Sequence, residues 1–220
     1  MILEIDNVEL SFGTKRILSG IYLKGETGKV TTILGSNGCG KSCLLQVIFG
    51  SLNPKYKLVR LNKKPILKPL YLTKKVSFLS QHGFVPKGLK LITVFKFLKV
   101  SWNEFAVTFN SFEAYKNKKV KLLSGGERRI VETYLILKGK SNIVLLDEPF
   151  SHIAPLYIEK IKLLITEVKK QKVIIITDHM YQHVIELADS IYLLKDGHSK
   201  LINDLKDLEF YNYLNIGSMD

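Results

Sequence analysis

The sequence predicts an α/β fold with a mainly parallel β-sheet core, a β-rich N-terminal part and a short α-helical part. Apolar runs at residues 30–34, 143–146 and 173–176 alternate with amphipathic helical stretches, as in a parallel sheet covered by helices on both faces. In the first 82 residues the short apolar runs are separated mainly by turns, which indicates a β-rich part. Between residues 83 and 124 the apolar residues recur at helical spacing, which indicates the helical part.

Strands are predicted one after another along the N-terminal part. Asp6 and Asn7 give a turn signal between the first two apolar runs, and Gly25 and Gly28 give another before the core strand at residues 30–34. Prolines confine the regular structure that follows. The predicted strands are residues 2–5, 8–12, 21–23, 30–34, 57–61, 71–72 and 76–79.

The middle of the chain is predicted to be helical. Residues 92–98 suggest one short helix, and Trp102, Phe105, Phe109 and Phe112 recur at intervals of 3, 4 and 3 on one helical face. Aromatic residues at this spacing belong either to a hydrophobic core or to a groove for a partner's helix. The pattern itself leaves both interpretations open.

Helices and strands alternate in the C-terminal part. Pro155 suits the first turn of a helix, and Asp196 with Gly197 predicts a hairpin turn between the last two strands. The predicted helices are residues 126–137, 156–168 and 181–188, and the predicted strands are residues 143–146, 173–176, 191–194 and 199–202.

The composition indicates one globular unit. The 220 residues are 46% hydrophobic, which argues against disorder. Glu4 and Asp6 stand where a secretory signal would carry basic residues, and no apolar run approaches the ~18 residues of a membrane span. We therefore expect a cytoplasmic chain. Cys39 and Cys43 are interpreted as ordinary small residues, the alternative being a reactive Cys39 thiol whose pKa a helix N-terminus lowers.

The charge of the chain is strongly basic and uneven. Lys and Arg number 33 against 20 Asp and Glu, a net charge of +13, and residues 27–103 hold 14 Lys and Arg without any Asp or Glu. The basic residues are densest between 55 and 75. This segment is either an ordinary solvated face or a surface attracted to an anionic partner, a lipid leaflet or a nucleic acid.

A glycine-rich loop between a predicted strand and a predicted helix is the most informative motif. It fits the pattern G-x-x-x-x-G-K-[ST], whose backbone N–H groups cradle the phosphates of a nucleotide at a helix N-terminus. The lysine would reach the β- and γ-phosphates, and the serine hydroxyl would sit on Mg²⁺. The loop consists of Gly35, Ser36, Asn37, Gly38, Cys39, Gly40, Lys41 and Ser42.

Three further motifs lie downstream: Leu-Ser-Gly-Gly-Glu at residues 123–127, an apolar strand ending in Asp-Glu-Pro at 147–149, and a strand ending in Asp-His at 178–179. With the glycine-rich loop, these residues resemble the ATP-binding subunit of ABC transporters. The resemblance covers nearly the whole chain, to Tyr213 and Leu214. It implies a P-loop NTPase fold with a RecA-like core at residues 1–82 and 125–220 and a helical subdomain at residues 83–124, together forming one ABC ATPase domain. The N-terminal β-rich part is similar to the antiparallel β subdomain of this family.

The resemblance assigns roles to residues around the phosphate loop. Asp147 ends a buried strand, where a carboxylate is costly unless it meets a cation, and its expected partner is Mg²⁺. Glu148 is implied to be the general base that polarises the attacking water, and His179 to contact the γ-phosphate and hold that water with Glu148. Gln81 is implied to touch the Mg²⁺ shell, and Phe12 to stack on adenine. ATP and Mg²⁺ are therefore the expected ligands, and Lys41 is counted among the catalytic residues.

The Leu-Ser-Gly-Gly-Glu motif implies a second subunit. Ser124, Gly125 and Gly126 open a helix, and in the family they contact the ATP held by the opposite subunit. The expected assembly is a homodimer, or a heterodimer with another ABC ATPase chain. The chain departs from the family pattern in two places: Glu127 replaces the commoner Gln, and Ala154 replaces an aspartate that couples the two sites.

The function implied by the resemblance is an ATP-binding and ATP-hydrolysing subunit that powers transport through separate transmembrane subunits. It would lie at the cytoplasmic face of the membrane. The alternatives are a soluble ABC ATPase in macromolecular assembly and one in nucleic-acid metabolism. A nucleic-acid partner is not favoured, because the chain lacks the long coiled coils, zinc insertions or second ABC domain that such members carry.

Overall fold

The strands form two sheets in the computed structural model, which describes residues 1–211 and 213. A sheet of four strands comes mainly from the N-terminal part, and a sheet of six forms the centre of the molecule. The strands are β1 (Ile2–Phe12), β2 (Lys15–Glu26), β3 (Val30–Leu34), β4 (Tyr56–Leu61), β5 (Lys64–Pro65), β6 (Val76–Leu79), β7 (Ile143–Asp147), β8 (Val173–Thr177), β9 (Ser190–Lys195) and β10 (His198–Ile202).

The six-stranded sheet is mainly parallel, as predicted. Its order is β10-β9-β3-β8-β7-β6, and only the β9–β10 hairpin pairs antiparallel. Every residue of β3, β7 and β8 is buried, because helices cover one face of the sheet, and a helix together with the four-stranded sheet covers the other. The carboxyl ends of β3, β6, β7 and β8 meet at one edge of this sheet, so the loops that follow them converge there.

Seven α-helices lie within the part of the chain that the structure describes. None of them is long and apolar enough to cross a membrane. They are α1 (Lys41–Phe49), α2 (Leu91–Leu98), α3 (Trp102–Thr108), α4 (Gly125–Lys138), α5 (Pro155–Val168), α6 (Tyr181–Leu187) and α7 (Lys206–Phe210). Leu214, at the end of the family resemblance, falls outside the described residues.

The four-stranded antiparallel sheet has the order β2-β1-β4-β5. The prediction of a turn at Asp6 and Asn7 is wrong, because β1 continues through both residues as one strand. Asn7 takes a left-handed conformation with φ of 50°, and the pairing register of β1 with β2 shifts between Ile5 and Val8. The turn-forming residues therefore lie in a bulge within β1 and do not end the strand.

The predicted strand at residues 71–72 is also wrong. Leu70–Thr73 forms a 3-10 helix that starts directly after Pro69. The ring of Tyr71 packs against Phe49 at the end of α1, with ring centroids 5.5 Å apart. The conformation of this segment is therefore determined by packing on α1 and not by pairing with a strand.

The four aromatic residues of the predicted stripe do not lie on one continuous helix. Trp102 and Phe105 belong to α3, which ends at Thr108, and Phe112 lies in a following 3-10 helix. All four side chains are at least 95% buried, with Phe105 5.2 Å from both Phe109 and Phe112 between ring centroids. The core interpretation is therefore confirmed, and these rings form no open groove.

Candidate nucleotide-binding site

The glycine-rich loop joins β3 to α1, and two of its glycines are required by close contacts. Gly40 precedes α1 with φ of 107°, and a Cβ there would lie 2.9 Å from Ile17 Cγ2. A Cβ on Gly35 would lie 2.5 Å from the carbonyl oxygen of Leu194 on β9. The loop is therefore pressed against β2 and β9, where a side chain at either position would displace it.

Lys41 is the first residue of α1, and its side chain turns back into the loop. Its ammonium group donates to the carbonyl oxygens of Gly35, 2.6 Å away, and Ser36, 3.0 Å away. Only 8% of the residue is exposed. The loop thus holds a buried positive charge at the position where the motif predicts phosphate.

Ser42 and Asp147 meet although 105 residues separate them in the sequence. The Ser42 hydroxyl donates to Asp147 Oδ1 at 3.1 Å, which joins the start of α1 to the carboxyl end of β7. Asp147 is 2% exposed, and burial raises the pKa of its carboxyl group above the ordinary value. A hydroxyl beside a buried carboxylate forms a pair of oxygen ligands of the kind that Mg²⁺ prefers.

The Glu148 carboxylate is the centre of a second polar cluster at the same sheet edge. Gln81 Nε2 donates to Glu148 Oε2 at 3.3 Å, and the Ser151 hydroxyl donates to the same oxygen at 3.2 Å. His179 Nδ1 lies 3.7 Å from it. Glu148 has a left-handed backbone with φ of 53°, a conformation that costs energy in a non-glycine residue and is found at functional sites.

A cavity of about 480 Å³ lies over the glycine-rich loop, and we call it the P-loop cavity. Some predicted site residues neighbour the lining residues in the sequence but do not line the cavity themselves: Gly35, Ser36, Cys39 and Asp147. The half-exposed Phe12 at the end of β1 does not line the cavity either. Ile17 and Cys43 line it although no sequence signal marked them. The lining consists of Ile17, Asn37, Gly38, Gly40, Lys41, Ser42, Cys43, Gln81, Glu148 and His179.

The reactive-thiol interpretation of Cys39 is wrong. The side chain packs with the apolar residues beneath the small sheet, and burial raises the pKa of the Cys39 thiol. Cys43 behaves in the same way, since burial is also the main cause that raises its pKa. Both cysteines are free thiols with little tendency to ionise.

The signature segment, residues 123–127, does not line the P-loop cavity. Ser124 and Glu127 form a capping box at the start of α4: the Glu127 N–H donates to the Ser124 hydroxyl at 3.2 Å, and the Ser124 N–H donates to Glu127 Oε2 at 2.7 Å. Gly126 is packed so closely on the His152 carbonyl that a Cβ would collide with it. A Cβ on Gly125 would meet nothing within 4 Å.

A model of the ABC transporter family matches residues 18–151, which is more than half of the chain. The match includes the glycine-rich loop, the signature segment and the Asp-Glu-Pro motif, whereas Ile17 and His179 of the cavity lining lie outside it. The chain belongs to the ABC transporter family. It is 31% identical to an uncharacterized ABC transporter ATP-binding protein of Methanocaldococcus jannaschii, over 90% of this chain and 84% of that protein. Its role is therefore that of a nucleotide-binding subunit in transport.

Relatives with named systems are similar at lower identity. The lipopolysaccharide export system ATP-binding protein LptB of Haemophilus influenzae is 25% identical, over 89% of this chain and 88% of that protein. A solved structure of an ATP-binding subunit of an ABC transporter superposes with a TM-score of 0.83 at 20% identity, covering 100% of this chain and 97% of that one. At this identity the superposition supports the fold of an ABC nucleotide-binding subunit, a P-loop NTPase.

Arg129 is a residue of this ABC subunit that the sequence reasoning missed. It is 8% exposed and lies on α4 beneath the site. Its guanidinium donates to the carbonyl oxygens of Ser80 at 2.6 Å and Glu148 at 3.2 Å, and also to that of Asp147. Arg129 thus holds the ends of β6 and β7 together. No sequence signal distinguished it from Arg128 beside it.

Asp178 was also missed as a positioning residue. It is fully buried, and its carboxylate accepts from the backbone N–H groups of Phe150 and Met180, both at 2.9 Å. These bonds join the loop after β7 to the loop after β8, so they set the distance between Glu148 and His179. The sequence signal that could have identified Asp178 is its position: like Asp147, it is an aspartate at the end of a buried apolar strand.

Proposed function

We propose that this ABC subunit binds ATP with Mg²⁺ in the P-loop cavity and hydrolyses it to ADP and phosphate. The observation that carries the proposal is the convergence of Lys41, Ser42, Gln81, Glu148 and His179 on one cavity from four different chain segments. A carboxylate, an imidazole and an ammonium group supply a base, a polar contact and a phosphate-binding cation.

Phosphate binding would use the loop as it stands. The start of α1 lines the cavity, and the positive end of the helix favours an anion there. The Lys41 ammonium now donates to the Gly35 and Ser36 carbonyls, and the oxygens of a bound γ-phosphate would attract it more strongly because they are charged.

The residues present fit a magnesium ion. Ser42 and Asp147 place a hydroxyl and a buried carboxylate 3.1 Å apart, and Gln81 offers an amide oxygen from the neighbouring loop. The raised pKa of Asp147 reflects a buried charge without full compensation, which a cation would supply. When bound, Mg²⁺ would neutralise the charge of the β- and γ-phosphates.

Glu148 is the proposed general base. Its carboxylate lies beside the phosphate loop, and the hydrogen bonds from Gln81 and Ser151 hold one oxygen, leaving the other free to accept a proton from water. His179, 3.7 Å from the carboxylate and attached to Asp178 through the chain, would orient that water and contact the γ-phosphate. Hydrolysis would then transfer the phosphoryl group to water and leave the proton on Glu148.

We further propose that two such sites close by dimerisation, with a second copy or with another ABC ATPase chain. Gly125 faces open space and could admit the phosphate of ATP held by another subunit. Gly126 instead has a packing role against His152. Phe12, exposed at the end of β1, is proposed to stack on adenine. The proposed boundaries remain residues 1–82 and 125–220 for the core and 83–124 for the helical subdomain.

The membrane-spanning part of the transporter is proposed to be a separate polypeptide, with this chain at its cytoplasmic face. The test is an affinity pull-down of tagged Glu148→Gln protein from detergent-solubilised native membranes. Co-purification of a multi-span protein supports the assembly. Recovery only with soluble proteins would contradict this assembly. It would favour an ABC ATPase in macromolecular assembly or one in nucleic-acid metabolism, and the basic segment 55–75 would suit the latter.

A further inference from the structure

A second cavity lies at the opposite edge of the central sheet, where β7 and β8 begin. It has a volume of about 400 Å³ and is bounded by the end of α4, the loop into β7, the end of α5 and the loop into β8. We call it the lysine cavity. Its polar lining includes Lys138, Lys140, Ser141, Glu167, Lys170 and Lys172.

The lysine cavity carries an excess of positive charge. Glu167 is the acidic residue of its lining and pairs with Lys138 at 2.9 Å. Among the residues that the structure describes, neither Lys140 nor Lys170 lies in a salt bridge, and both are exposed at the cavity mouth. Lys172 donates to the carbonyl oxygens of Leu137, at 2.6 Å, and Gly139. Three ammonium groups therefore lack a carboxylate within the lining.

The positive charges in this cavity repel one another. Burial, and then the charge of Lys138, lower the pKa of Lys172 to about 8. An anion between these lysines would remove the repulsion. The cavity therefore lacks a negative charge, just as a buried carboxylate without a cation lacks a positive one.

Ser141 provides an independent observation. It lines the cavity, is only 5% exposed, and its hydroxyl has no hydrogen-bond partner. A buried hydroxyl without a partner is uncommon, because it loses its hydrogen bonds to water without replacement. A donor of this kind in a cationic cavity suits an oxygen atom of an anionic ligand.

We propose that the lysine cavity binds a small molecule that carries a phosphate group. Lysine ammonium groups bind phosphate as point charges, and the volume lies in the range of small-molecule sites. Lys140, Lys170 and Lys172 supply the positive charge, and Ser141 supplies a neutral donor. The site lies at the amino ends of the strands, whereas the P-loop cavity lies at their carboxyl ends, so it is independent of the proposed ATPase site.

The test is calorimetric titration with inorganic phosphate in a Lys41→Ala background, which removes the main phosphate ligand of the P-loop. Lys140→Gln with Lys170→Gln is compared with the matched pair Lys96→Gln and Lys99→Gln, two exposed lysines at the end of α2 that make the same change in net charge. We expect the first pair to weaken phosphate binding about tenfold or more and the second pair less than about twofold. Equal effects of both pairs, or no binding in the parent protein, would overturn the proposal.

Ser141→Ala separates ligand binding from folding. Because the hydroxyl has no partner in the protein, its removal should leave the melting temperature unchanged or higher, while phosphate binding weakens several-fold. A lower melting temperature with unchanged phosphate binding would contradict the assignment of Ser141. Sedimentation with phosphatidylcholine vesicles, with and without phosphatidylglycerol, identifies the phosphate source. Binding to anionic vesicles that depends on Lys140 and Lys170, in the absence of phosphate binding, would overturn the small-molecule proposal in favour of lipid headgroups.

Discussion

The P-loop cavity and the signature segment are built in opposite ways. In the cavity, side chains from the loops after β3, β6, β7 and β8 converge on one space, with polar atoms within 3–4 Å of one another. In the signature segment, Ser124 and Glu127 satisfy each other, and Gly125 faces nothing within 4 Å. The first region is a preformed polar cavity, the proposed phosphate site, whereas in the second a side chain added at Gly125 would meet nothing in the part of the chain that the structure describes.

The largest expected effect concerns the cavity alone. Glu148→Gln keeps the shape of the side chain and its contact with Gln81 but cannot accept a proton, so ATP turnover should fall by about 10²–10⁴-fold while ATP affinity is retained. Turnover is measured by phosphate release, and affinity by equilibrium binding.

The control for this prediction is Ser151→Ala, which removes the other hydrogen bond to the same carboxylate. It should lower turnover by less than about tenfold, since it changes only the position of the base. If Glu148→Gln and Ser151→Ala had equal effects, Glu148 would have no role as the base.

The two glycines of the signature segment should respond differently to the same substitution. In Gly126→Ala the new methyl group meets the His152 carbonyl, so the free energy of unfolding should fall by about 1–3 kcal/mol. In Gly125→Ala the methyl group enters open space within α4, and stability should be unchanged or rise by about 0.5–1 kcal/mol. Denaturant unfolding measures both values.

The same glycine substitution also tests the second half of the proposed ATPase site. Gly125→Ala should keep ATP affinity, because the P-loop cavity is untouched, but lose turnover if its open face receives the ATP of a second subunit. Normal turnover in Gly125→Ala would show that this face is not used in catalysis.

A substitution of Asp147 tests whether a residue proposed to bind Mg²⁺ lowers the stability of the folded chain. Burial raises its pKa, so the folded state holds the proton more tightly than the unfolded state, and stability falls as pH rises from the unfolded value of 3.8 through the raised folded pKa. Without Mg²⁺, Asp147→Asn should therefore raise the free energy of unfolding at pH 7 by about 1 kcal/mol and flatten its dependence on pH.

The same substitution should remove the Mg²⁺ dependence of ATP affinity, because a neutral amide replaces the carboxylate beside Ser42. Titration of ATP with and without MgCl₂ measures this change. A variant that is less stable than the parent at pH 7 and still responds to Mg²⁺ would contradict both parts of the account of Asp147.

The smallest expected effect concerns Ala154, which starts α5 without a side-chain cap. Ala154→Asp should add an N-cap worth about 1 kcal/mol of stability. From the family resemblance it should also raise ATP turnover, because an aspartate here couples the two sites. Ala154→Asn, which caps the helix without the charge, is the control. Unchanged or lower turnover in the aspartate variant would count against coupling through this position.

Local sequence patterns were enough to predict the phosphate loop, its flanking β3 and α1, and the acidic end of β7. They failed where a distant contact decides the local structure. Tyr71 packs on Phe49, and Asn7 forms a bulge, so neither follows its local signal. Arg129 could not be predicted, because its partners are backbone carbonyls at the ends of two strands distant in the sequence, and its neighbour Arg128 has the same chemistry.

We propose that one chain carries only half of the ATPase site. The most direct measurement is ATP turnover per chain over a hundredfold range of protein concentration, with sedimentation velocity of the same samples. We expect turnover per chain to fall as the dimer dissociates on dilution, or to be absent until a partner ABC ATPase is added. Constant turnover by a chain that sediments as a monomer would contradict this proposal.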